Sequence, residues 1–421
     1  MTALIFAAPA SGAGLSTVTL ALLRHLTLTG HDIRGAKSGP DHVDPRLHEV
    51  ACGRICHNLD AWAMSPERIR ELASGPELLL IEGAAGLFDG APDGRGAVAD
   101  LARMLRLPVV LIVDAGRMAQ SVAPLCTGFA KHDPNVRIEG VILNNVGSPP
   151  HEAMLRGALK AAGLTVLGAL PRHSGIAMPR RTGPLQADER ADLEAVLNRA
   201  AEWVAEGTDI DGLLALAAPH ATRRSDTRLT PPAQRIAVAR DAAFVQTYPH
   251  ILADWRRAGA EIVHFSPLAN EKVPDAGFIY LPGGPVQDHA GRMAENGIFV
   301  KSLHRAAESV PVHGEGGGYM ALGRSLTDAT GATHRMADLL DLDVSFATPR
   351  LHLGYRHLTD LGGPFGGHLT AHEHHAATTL RAEGDPLYAA HDATGAALPP
   401  MGLRKGHVSG SFANVIDRAA P

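Results

Sequence analysis

One segment of the chain has the glycine pattern of a nucleophile elbow but lacks the nucleophile. Residues His313–Met320 read His-Gly-Glu-Gly-Gly-Gly-Tyr-Met, after a short predicted strand and before residues that can begin a helix. In such a turn one side chain is exposed at a strained bend, and small neighbours leave room for the backbone and the substrate. The exposed position, where a cysteine would normally lie, is Gly316, and all three cysteines lie in the first third of the chain. We therefore predict that this turn carries out no thiol catalysis.

A second glycine-rich turn follows the first predicted strand and reads Pro9-Ala-Ser-Gly-Ala-Gly-Leu-Ser-Thr17. Backbone N–H groups in such a bend, together with the N-terminus of the helix that follows, favour a bound phosphate. Ser16 occupies the position at which a phosphate-loop hydroxyl would hold Mg²⁺, whereas Leu15 replaces the usual lysine. That replacement removes a charge-assisted contact worth about 1.5–3 kcal/mol. The alternative interpretation is an ordinary tight turn between a strand and a helix.

Two acidic segments accompany this turn. The first runs from Lys37 as Lys-Ser-Gly-Pro-Asp-His-Val-Asp-Pro and places Lys37, Asp41 and Asp44 in a predicted loop stiffened by Gly and Pro. The second ends a predicted strand with Glu82, and Asp89 follows it. Mg²⁺ prefers a few carboxylates combined with phosphate oxygens. The two segments therefore predict a magnesium–phosphate site in which Lys37 supplies part of the missing positive charge; solvated loop acids are the alternative.

Bulk composition limits the functional classes. The 421 residues correspond to two or three domains, with 45% apolar and 20% charged residues, as in soluble globular proteins. The net charge of −5 gives no indication of nucleic acid or of an anionic membrane as a partner. The apolar runs are strand-sized, far short of a membrane span. Three scattered cysteines predict no disulfide framework and fit a reducing cytoplasm.

The order of predicted elements indicates an α/β protein. In the first half, strands of continuous Val, Ile and Leu alternate with helices, which is typical of a parallel sheet covered on both faces. Such sheets bind ligands just beyond the ends of their strands, where polar and glycine residues gather in this sequence. A Pro-, Thr- and Arg-rich stretch without periodicity then precedes a new alternation that starts at Arg235. We predict a first domain over residues 1–206, a linker over 207–233 and a second domain over 234–421.

In combination these motifs resemble the cobyrinate (hydrogenobyrinate) a,c-diamide synthase family of cobalamin biosynthesis, over nearly the whole length. The segments of the first half that carry the resemblance are residues 8–12, 37–45, 58–64, 82–90 and 141–148. Those of the second half are residues 235–244, 265–268, 281–284, 314–323, 353–356 and 372–375. The resemblance implies a dethiobiotin-synthetase-like P-loop domain with a parallel sheet, followed by a class I glutamine amidotransferase-like α/β domain.

The family resemblance also implies a reaction and its participants. ATP and Mg²⁺ would phosphorylate a peripheral carboxylate of a corrinoid, either cobyrinic or hydrogenobyrinic acid, and ammonia would then attack the acyl phosphate. In the family the second domain makes this ammonia from glutamine with a Cys/His pair. The chemistry suits these residue types, because phosphoryl transfer depends mostly on positioning and charge neutralisation. The resemblance further leaves open a homodimer or a pairing with an active paralogue.

Carried over to this sequence, the resemblance assigns roles to individual residues. The residues it places around phosphate groups are Gly12, Gly14, Ser16 and Thr17, and it places Asn144 against the adenine. The residues it places around Mg²⁺ are Ser16, Asp41 and Glu82. It assigns Asp44 and Asp89 to placing the substrate and the acyl phosphate, and Lys37, as the source of the missing charge, completes the predicted catalytic residues.

The chain departs from the family pattern at several of its functional positions. In the first domain the replaced positions are Leu15 for lysine, His42 for tyrosine, Ala85 for methionine and Asn145 for arginine or lysine. In the second domain Gly316 replaces the nucleophilic cysteine and Asn414 replaces the general-base histidine. A base has no task without a thiol to activate, so the two losses are consistent with each other. We therefore expect no glutamine hydrolysis by the family mechanism.

Two hypotheses about function follow from these departures. The first is an ATP-dependent corrinoid amide ligase, a carbon–nitrogen ligase that uses free ammonia or ammonia from another subunit. The second is a non-catalytic relative that binds a tetrapyrrole or serves as a partner subunit. A partition-type ATPase shares a deviant phosphate loop, but the second domain and the acidic loop after Lys37 argue against it.

Other residues have simpler interpretations. His372 and His374 alternate and can share a strand face, which allows a metal site, but the family has a similar motif and we favour a structural role. Cys52 and Cys56 are interpreted as buried or loop residues, because no second cysteine pair exists to complete a zinc site. The pair Arg180-Arg181 is interpreted as solvated surface, with contact to substrate carboxylates as the alternative.

Overall fold

The runs of continuous Val, Ile and Leu in the first half of the sequence are buried parallel strands, as predicted. The computed structural model describes residues 2–176 and 187–419; the pair Arg180-Arg181 lies outside them. The described chain divides into two compact units, the first ending at Ser225 and the second beginning at Asp226. The predicted fold class is confirmed: both units are α/β.

The first unit contains eight described strands and eight described α-helices. The strands are β1 (Thr2–Ala7), β2 (Ile33–Ser38), β3 (His57–Leu59), β4 (Leu78–Glu82), β5 (Val109–Asp114), β6 (Ile138–Val146), β7 (Val166–Pro171) and β8 (Ala218–Pro219). The helices are α1 (Leu15–Leu28), α2 (Asp44–Cys52), α3 (Pro66–Ala73), α4 (Val98–Leu105), α5 (Val122–His132), α6 (Pro149–Ala161), α7 (Ala187–Gly207) and α8 (Ile210–Leu216). A 3₁₀ turn covers Ser174–Ile176.

The sheet of the first unit brings three chemically important strand ends together. Its order is β3-β2-β4-β1-β5-β6-β7, with all neighbours parallel, and β8 pairs antiparallel with β1. Because β2 and β4 are adjacent and β4 adjoins β1, the carboxyl ends of these strands lie at one edge of the sheet. This edge carries Lys37, Glu82 and the glycine turn after β1. Helix α8 and strand β8 belong to the first unit, so the segment predicted as a linker, 207–233, begins with regular structure.

The second unit contains fourteen described strands and four described α-helices. The strands are β9 (Arg235–Ala239), β10 (Glu261–Phe265), β11 (Phe278–Leu281), β12 (Val312–Glu315), β13 (Ser325–Thr327), β14 (Thr333–Arg335), β15 (Asp341–Ser345), β16 (His352–Asp360), β17 (His368–His375), β18 (Thr378–Glu383), β19 (Asp385–Asp392), β20 (Ala397–Lys405), β21 (Val408–Ser411) and β22 (Ala413–Arg418). The helices are α9 (Pro249–Arg257), α10 (Ala290–Glu295), α11 (Gly297–Ala307) and α12 (Gly317–Leu322), and a 3₁₀ turn covers Val286–His289.

A mixed ten-stranded sheet forms the centre of the second unit. Its order is β10-β9-β11-β12-β21-β20-β19-β16-β17-β22, and a separate four-stranded sheet has the order β14-β13-β15-β18. Strands β10, β9, β11, β12 and β21 run parallel to one another. In the rest of the sheet, which has the order β20-β19-β16-β17-β22, neighbouring strands are antiparallel, and β20 also pairs antiparallel with β21. The parallel half presents the strand-to-helix turn at Gly316. Within the described ranges, no helix combines the length and the apolar character needed to cross a bilayer.

Candidate active site

The glycine turn after β1 has the backbone geometry of a phosphate loop. Gly12 and Gly14 have φ values of 88° and 87°, in the left-handed region that side chains disfavour, and α1 begins immediately afterwards. A Cβ atom on Gly14 would lie 2.1 Å from Nδ2 of Asn144, so only glycine fits there. The first N–H groups of α1 have no helical acceptor and point towards the turn. The half-buried Ser16 and Thr17 lie in this first helical turn.

Asn144 braces the phosphate loop from a neighbouring strand. It lies in β6 and is buried, and its Nδ2 donates a hydrogen bond of 2.9 Å to the carbonyl oxygen of Ala13. This bond fixes the loop backbone between the two glycines. The sequence did not indicate such a contact, and the predicted contact between Asn144 and an adenine stays a prediction.

Four side chains meet beside the loop and form what we call the carboxylate cluster: Ser16, Lys37, Asp44 and Glu82. Lys37 is only 4% exposed, and its Nζ lies 2.6 Å from Oδ2 of Asp44 and 2.7 Å from Oε1 of Glu82. Ser16 Oγ donates to the same Glu82 oxygen over 2.6 Å. Lys37 also donates to the carbonyl oxygen of Gly83 over 3.0 Å. One carboxylate oxygen therefore joins the loop hydroxyl to the lysine.

The burial of this cluster changes its protonation. Burial and the neighbouring Glu82 charge raise the pKa of Asp44 to about 6, although Lys37 opposes this. Burial alone would raise the pKa of Glu82, but Lys37 and His48 outweigh it and hold that pKa well below its usual range. For Lys37, burial alone would lower the pKa, but the negative charges of Glu82 and Asp44 outweigh burial and raise that pKa. Glu82 and Lys37 are thus a charged pair at neutral pH, and Asp44 contributes further negative charge.

A buried histidine, His48, contacts the carboxylate cluster through the second carboxylate oxygen of Glu82. Its Nε2 lies 2.5 Å from Oε2 of Glu82, and its Nδ1 lies 3.4 Å from the thiol sulfur of the buried Cys56. His48 follows Asp44 by one helical turn in α2, so both side chains lie on the same face of that helix. No role was predicted for His48 from the sequence. The four-residue spacing between Asp44 and His48 was the available signal.

Two of the predicted acids have mainly structural contacts. Asp41 Oδ1 accepts hydrogen bonds from the backbone N–H groups of Val43 (2.6 Å) and Asp44 (2.9 Å), at the start of α2. Asp89 is exposed, and its Oδ2 closes a turn by accepting from the N–H of Gly86 over 2.9 Å. The structure therefore brings Asp41 next to the carboxylate cluster through the backbone of Asp44, and it leaves Asp89 at the surface.

The predicted elbow is present in the second unit. Gly316 lies between β12 and α12 with φ 50° and ψ −112°, and its N–H donates to the carbonyl oxygen of Ser411 over 2.9 Å. A Cβ atom there would meet its nearest neighbour, Cα of Gly283, at 3.4 Å, an ordinary contact. Cβ atoms on Gly317 and Gly318 would instead lie 2.2 and 1.8 Å from backbone carbonyl oxygens. The first of these three glycines therefore occupies the position that can accept a side chain.

Asn414 lies directly beside this position. A Cβ atom on Gly316 would be 3.5 Å from Oδ1 of Asn414. The Asn414 amide is buried and donates a long bond of 3.5 Å to the carbonyl oxygen of His372, while its Oδ1 has no hydrogen-bond partner among the described residues. A short polar side chain that cannot act as a base near neutral pH thus faces a position without a nucleophile. This arrangement cannot perform thiol-based amide hydrolysis.

Comparisons with known proteins find family models that match a part of each unit. Residues 235–416 match the family model of the CobB/CobQ-like glutamine amidotransferase domain, and residues 46–180 match the model of an AAA domain. A hydrogenobyrinate a,c-diamide synthase of Brucella abortus is 50% identical over 430 residues, covering 99% of each chain. Proteins of the same name from Rhodobacter capsulatus and Rhizobium meliloti are 46% and 45% identical, covering 98% and 99% of each chain respectively.

Proposed function

Because this chain belongs to the hydrogenobyrinate a,c-diamide synthase family, we propose that it converts carboxylates of hydrogenobyrinate, or of the related cobyrinate, to amides in an ATP-dependent reaction. In this reaction the γ-phosphoryl group of ATP passes to a carboxylate oxygen of the corrinoid and ADP leaves. Ammonia then attacks the carbonyl carbon, a carbon–nitrogen bond forms, and phosphate leaves. The ammonia comes from solution or from another protein.

The observation that supports this proposal best is the carboxylate cluster at the phosphate loop. The loop amides and the N-terminus of α1 would hold the phosphate groups of ATP. Lys37 approaches the loop from β2, and only one carboxylate oxygen separates it from the Ser16 hydroxyl. The side chain of Leu15 packs into the core and supplies no charge to the phosphate loop. Lys37 is therefore the cation that we assign to the role usually filled by the lysine of the loop.

The donor set of the cluster also fits Mg²⁺. The raised pKa of Asp44 reflects buried negative charge that a cation would stabilise. Hydroxyl and carboxylate oxygens are the ligands that Mg²⁺ prefers beside phosphate oxygens. We assign Ser16, Asp41 and Glu82 to the ion, and we add Asp44. When bound, Mg²⁺ would neutralise charge on the phosphate groups. Because His48 and Lys37 already hold both oxygens of Glu82, this side chain would be oriented before the ion binds.

The ammonia source follows from the elbow. Hydrolysis of glutamine by the family mechanism requires a thiol and a base, and these positions hold Gly316 and Asn414. We propose that ammonium supports amide formation and that glutamine does not.

One assay tests the whole proposal. The purified protein receives hydrogenobyrinic or cobyrinic acid, Mg-ATP and either glutamine or ammonium, and mass spectrometry follows the mass of the corrinoid. We expect amidation with ammonium alone. Ser16→Ala should abolish it, whereas Ser11→Ala, at an exposed position in the same loop, should not. Product formation with glutamine would overturn the assignment of the elbow.

A non-catalytic tetrapyrrole-binding or partner protein is the second candidate function. The observation in its favour is that Lys37 pairs with two carboxylates, which neutralise the positive charge that a phosphate group would need. The buried Leu15 supplies no charge in its place. Retained corrinoid binding, measured by absorbance titration, without product from either nitrogen source would support this candidate and exclude the ligase.

A further inference from the structure

Three side chains of the second unit that commonly bind metals meet on β16 and β17, and one of them, Glu373, lies opposite Ala413, the neighbour of the elbow residue Asn414. The nitrogen and oxygen atoms that His352, Glu373 and His375 can offer as ligands all lie within 4.8 Å of one another. His352 lies directly opposite His375 in the antiparallel ladder of β16 and β17. Glu373 precedes His375 by two residues, so both side chains are on the same face of β17. The ladder therefore collects three ligands on one face.

This face is the opposite of the one suggested by the sequence alternation. His372 and His374 share the other face of β17, and His374 is exposed. The second imidazole belongs to His352, which lies on the neighbouring strand 23 residues before His375. The alternation of residues within β17 alone could not indicate this partner.

The geometry of the three groups suits a shared ion. The His352 and His375 rings are parallel to within 5°, with centroids 4.7 Å apart. Nε2 of His375 lies 3.0 Å from Oε1 of Glu373. Two ligand atoms that each lie about 2.0–2.1 Å from one tetrahedral zinc ion are separated by about 3.3 Å. Small side-chain rotations would thus replace the hydrogen bond with an ion bound to both atoms.

The surroundings fix two of the ligands in place. Arg356 donates to Oε2 of Glu373 over 3.0 and 2.6 Å, which orients the carboxylate and leaves Oε1 directed at the imidazoles. The His375 ring stacks on Phe412 with centroids 3.8 Å apart. Its Nδ1 is buried and has no hydrogen-bond partner among the described residues. Contacts within the protein therefore leave this imidazole incompletely satisfied, while they restrict its rotation.

We propose that His352, Glu373 and His375 form a binding site for a divalent transition-metal ion such as Zn²⁺. Two imidazoles and one carboxylate are typical ligands for zinc and its neighbours in the first transition series, whereas Mg²⁺ and Ca²⁺ prefer oxygen ligands alone. His352 is half-buried at the start of β16, so the ion can enter from solvent and retain a water ligand. The positive charge of Arg356 opposes a second cation, so the affinity will be lower than that of a four-ligand structural site.

Metal titration of the full-length protein tests this proposal. After treatment with a chelator, the protein is titrated with ZnCl₂ by calorimetry and with CoCl₂ by visible absorption. His352→Asn and Glu373→Gln remove proposed ligands, and His374→Asn removes the exposed histidine of the same strand. We expect one saturable site in the wild type and in His374→Asn, and an affinity at least about tenfold lower in the other two variants.

Thermal unfolding separates metal binding from damage to the fold. Zn²⁺ should raise the Tm of the wild type and of His374→Asn but not that of His352→Asn. If Glu373→Gln fails to fold because Arg356 loses its partner, His352→Asn still decides the question, since its side chain lies at the start of a strand and is half-buried. Either absence of a saturable site in the wild type or an equal loss of affinity in His374→Asn would overturn the proposal.

Discussion

Restoring a thiol and a base at the elbow is the sharpest test of how the second unit is built. We expect the double variant Gly316→Cys, Asn414→His to hydrolyse glutamine, which the wild type should not do. A Cβ atom on Gly316 would lie 3.5 Å from Oδ1 of Asn414, so a histidine there can reach a cysteine sulfur. Among the residues that the structure describes, the replaced amide donates only one long hydrogen bond, of 3.5 Å, and its removal should cost little.

The structural cost of the cysteine can be worked out from the backbone. The φ of 50° and ψ of −112° at Gly316 lie in a region that residues with a side chain rarely adopt, at a cost of about 1–3 kcal/mol. The added Cβ atom makes ordinary contacts, the nearest at 3.4 Å, so no steric penalty follows. We therefore expect Gly316→Cys to lower the Tm by roughly 2–12 °C. Gly317→Ala is the matched control, because its Cβ atom would lie 2.2 Å from the carbonyl oxygen of Gly284, and it should lower the Tm considerably more.

The assay measures glutamate released from glutamine by coupled oxidation with glutamate dehydrogenase. The two single variants should each release much less glutamate than the double variant, because thiol and base act as a unit. Two results would refute the reasoning. One is a folded double variant without glutamine hydrolysis, and the other is a Gly316→Cys variant as unstable as Gly317→Ala.

The carboxylate cluster and the adjacent phosphate loop lead to three further predictions. Lys37→Met should lower the free energy of unfolding by about 3–5 kcal/mol, because it leaves Glu82 and Asp44 buried without their cation. Urea denaturation measures this free energy. A loss below about 1 kcal/mol, which is typical of a surface ion pair, would contradict the prediction. Leu15→Lys should tighten ATP binding by about 1.5–3 kcal/mol in calorimetry, since it adds a charge-assisted phosphate contact; an unchanged Kd in a folded variant would argue against a phosphate site. The folded-state pKa of Asp44 is raised from 3.8 to about 6, so its ionisation lowers stability as the pH rises through that window. Asp44→Asn should therefore make the plot of unfolding free energy against pH less negative in slope between these values, and identical slopes would count against the raised pKa.

The part of the fold that was predicted is the part that local sequence determines. Strand β5, Val-Val-Leu-Ile-Val-Asp, is apolar almost throughout and was predicted as a buried strand. Strand β2, Ile-Arg-Gly-Ala-Lys-Ser, is buried at all six positions and was missed. Its two charges are buried because Arg34 pairs with Glu77 and Lys37 with Glu82. These partners lie more than forty residues away, so no local pattern could show that charged residues would form a buried interior strand.

The same limit applies to the candidate sites. The phosphate loop and the glycine elbow were predicted because each is a continuous segment whose glycines fix the backbone locally. The carboxylate cluster was predicted in composition, but Lys37 was placed in a loop, whereas it lies in β2. The contact between Asn144 and the loop backbone spans 131 residues, and it depends on the order of strands in the sheet. Long-range partners of this kind become visible only after the chain has folded.

The strand order of the second unit also has a consequence for the time at which the elbow forms during synthesis. Strand β12 ends at the elbow and pairs on one side with β11, which precedes it, and on the other with β21. The side chains of His313 and Ser409 form a hydrogen bond although the two residues are 96 positions apart. The hydrogen bond from the N–H of Gly316 to the carbonyl oxygen of Ser411 can form only after residue 411 has been synthesised. While the ribosome translates the intervening strands, the nascent elbow has only one neighbouring strand. Such an unpaired strand edge can pair with another chain, so the incomplete second unit is aggregation-prone until residue 411 emerges.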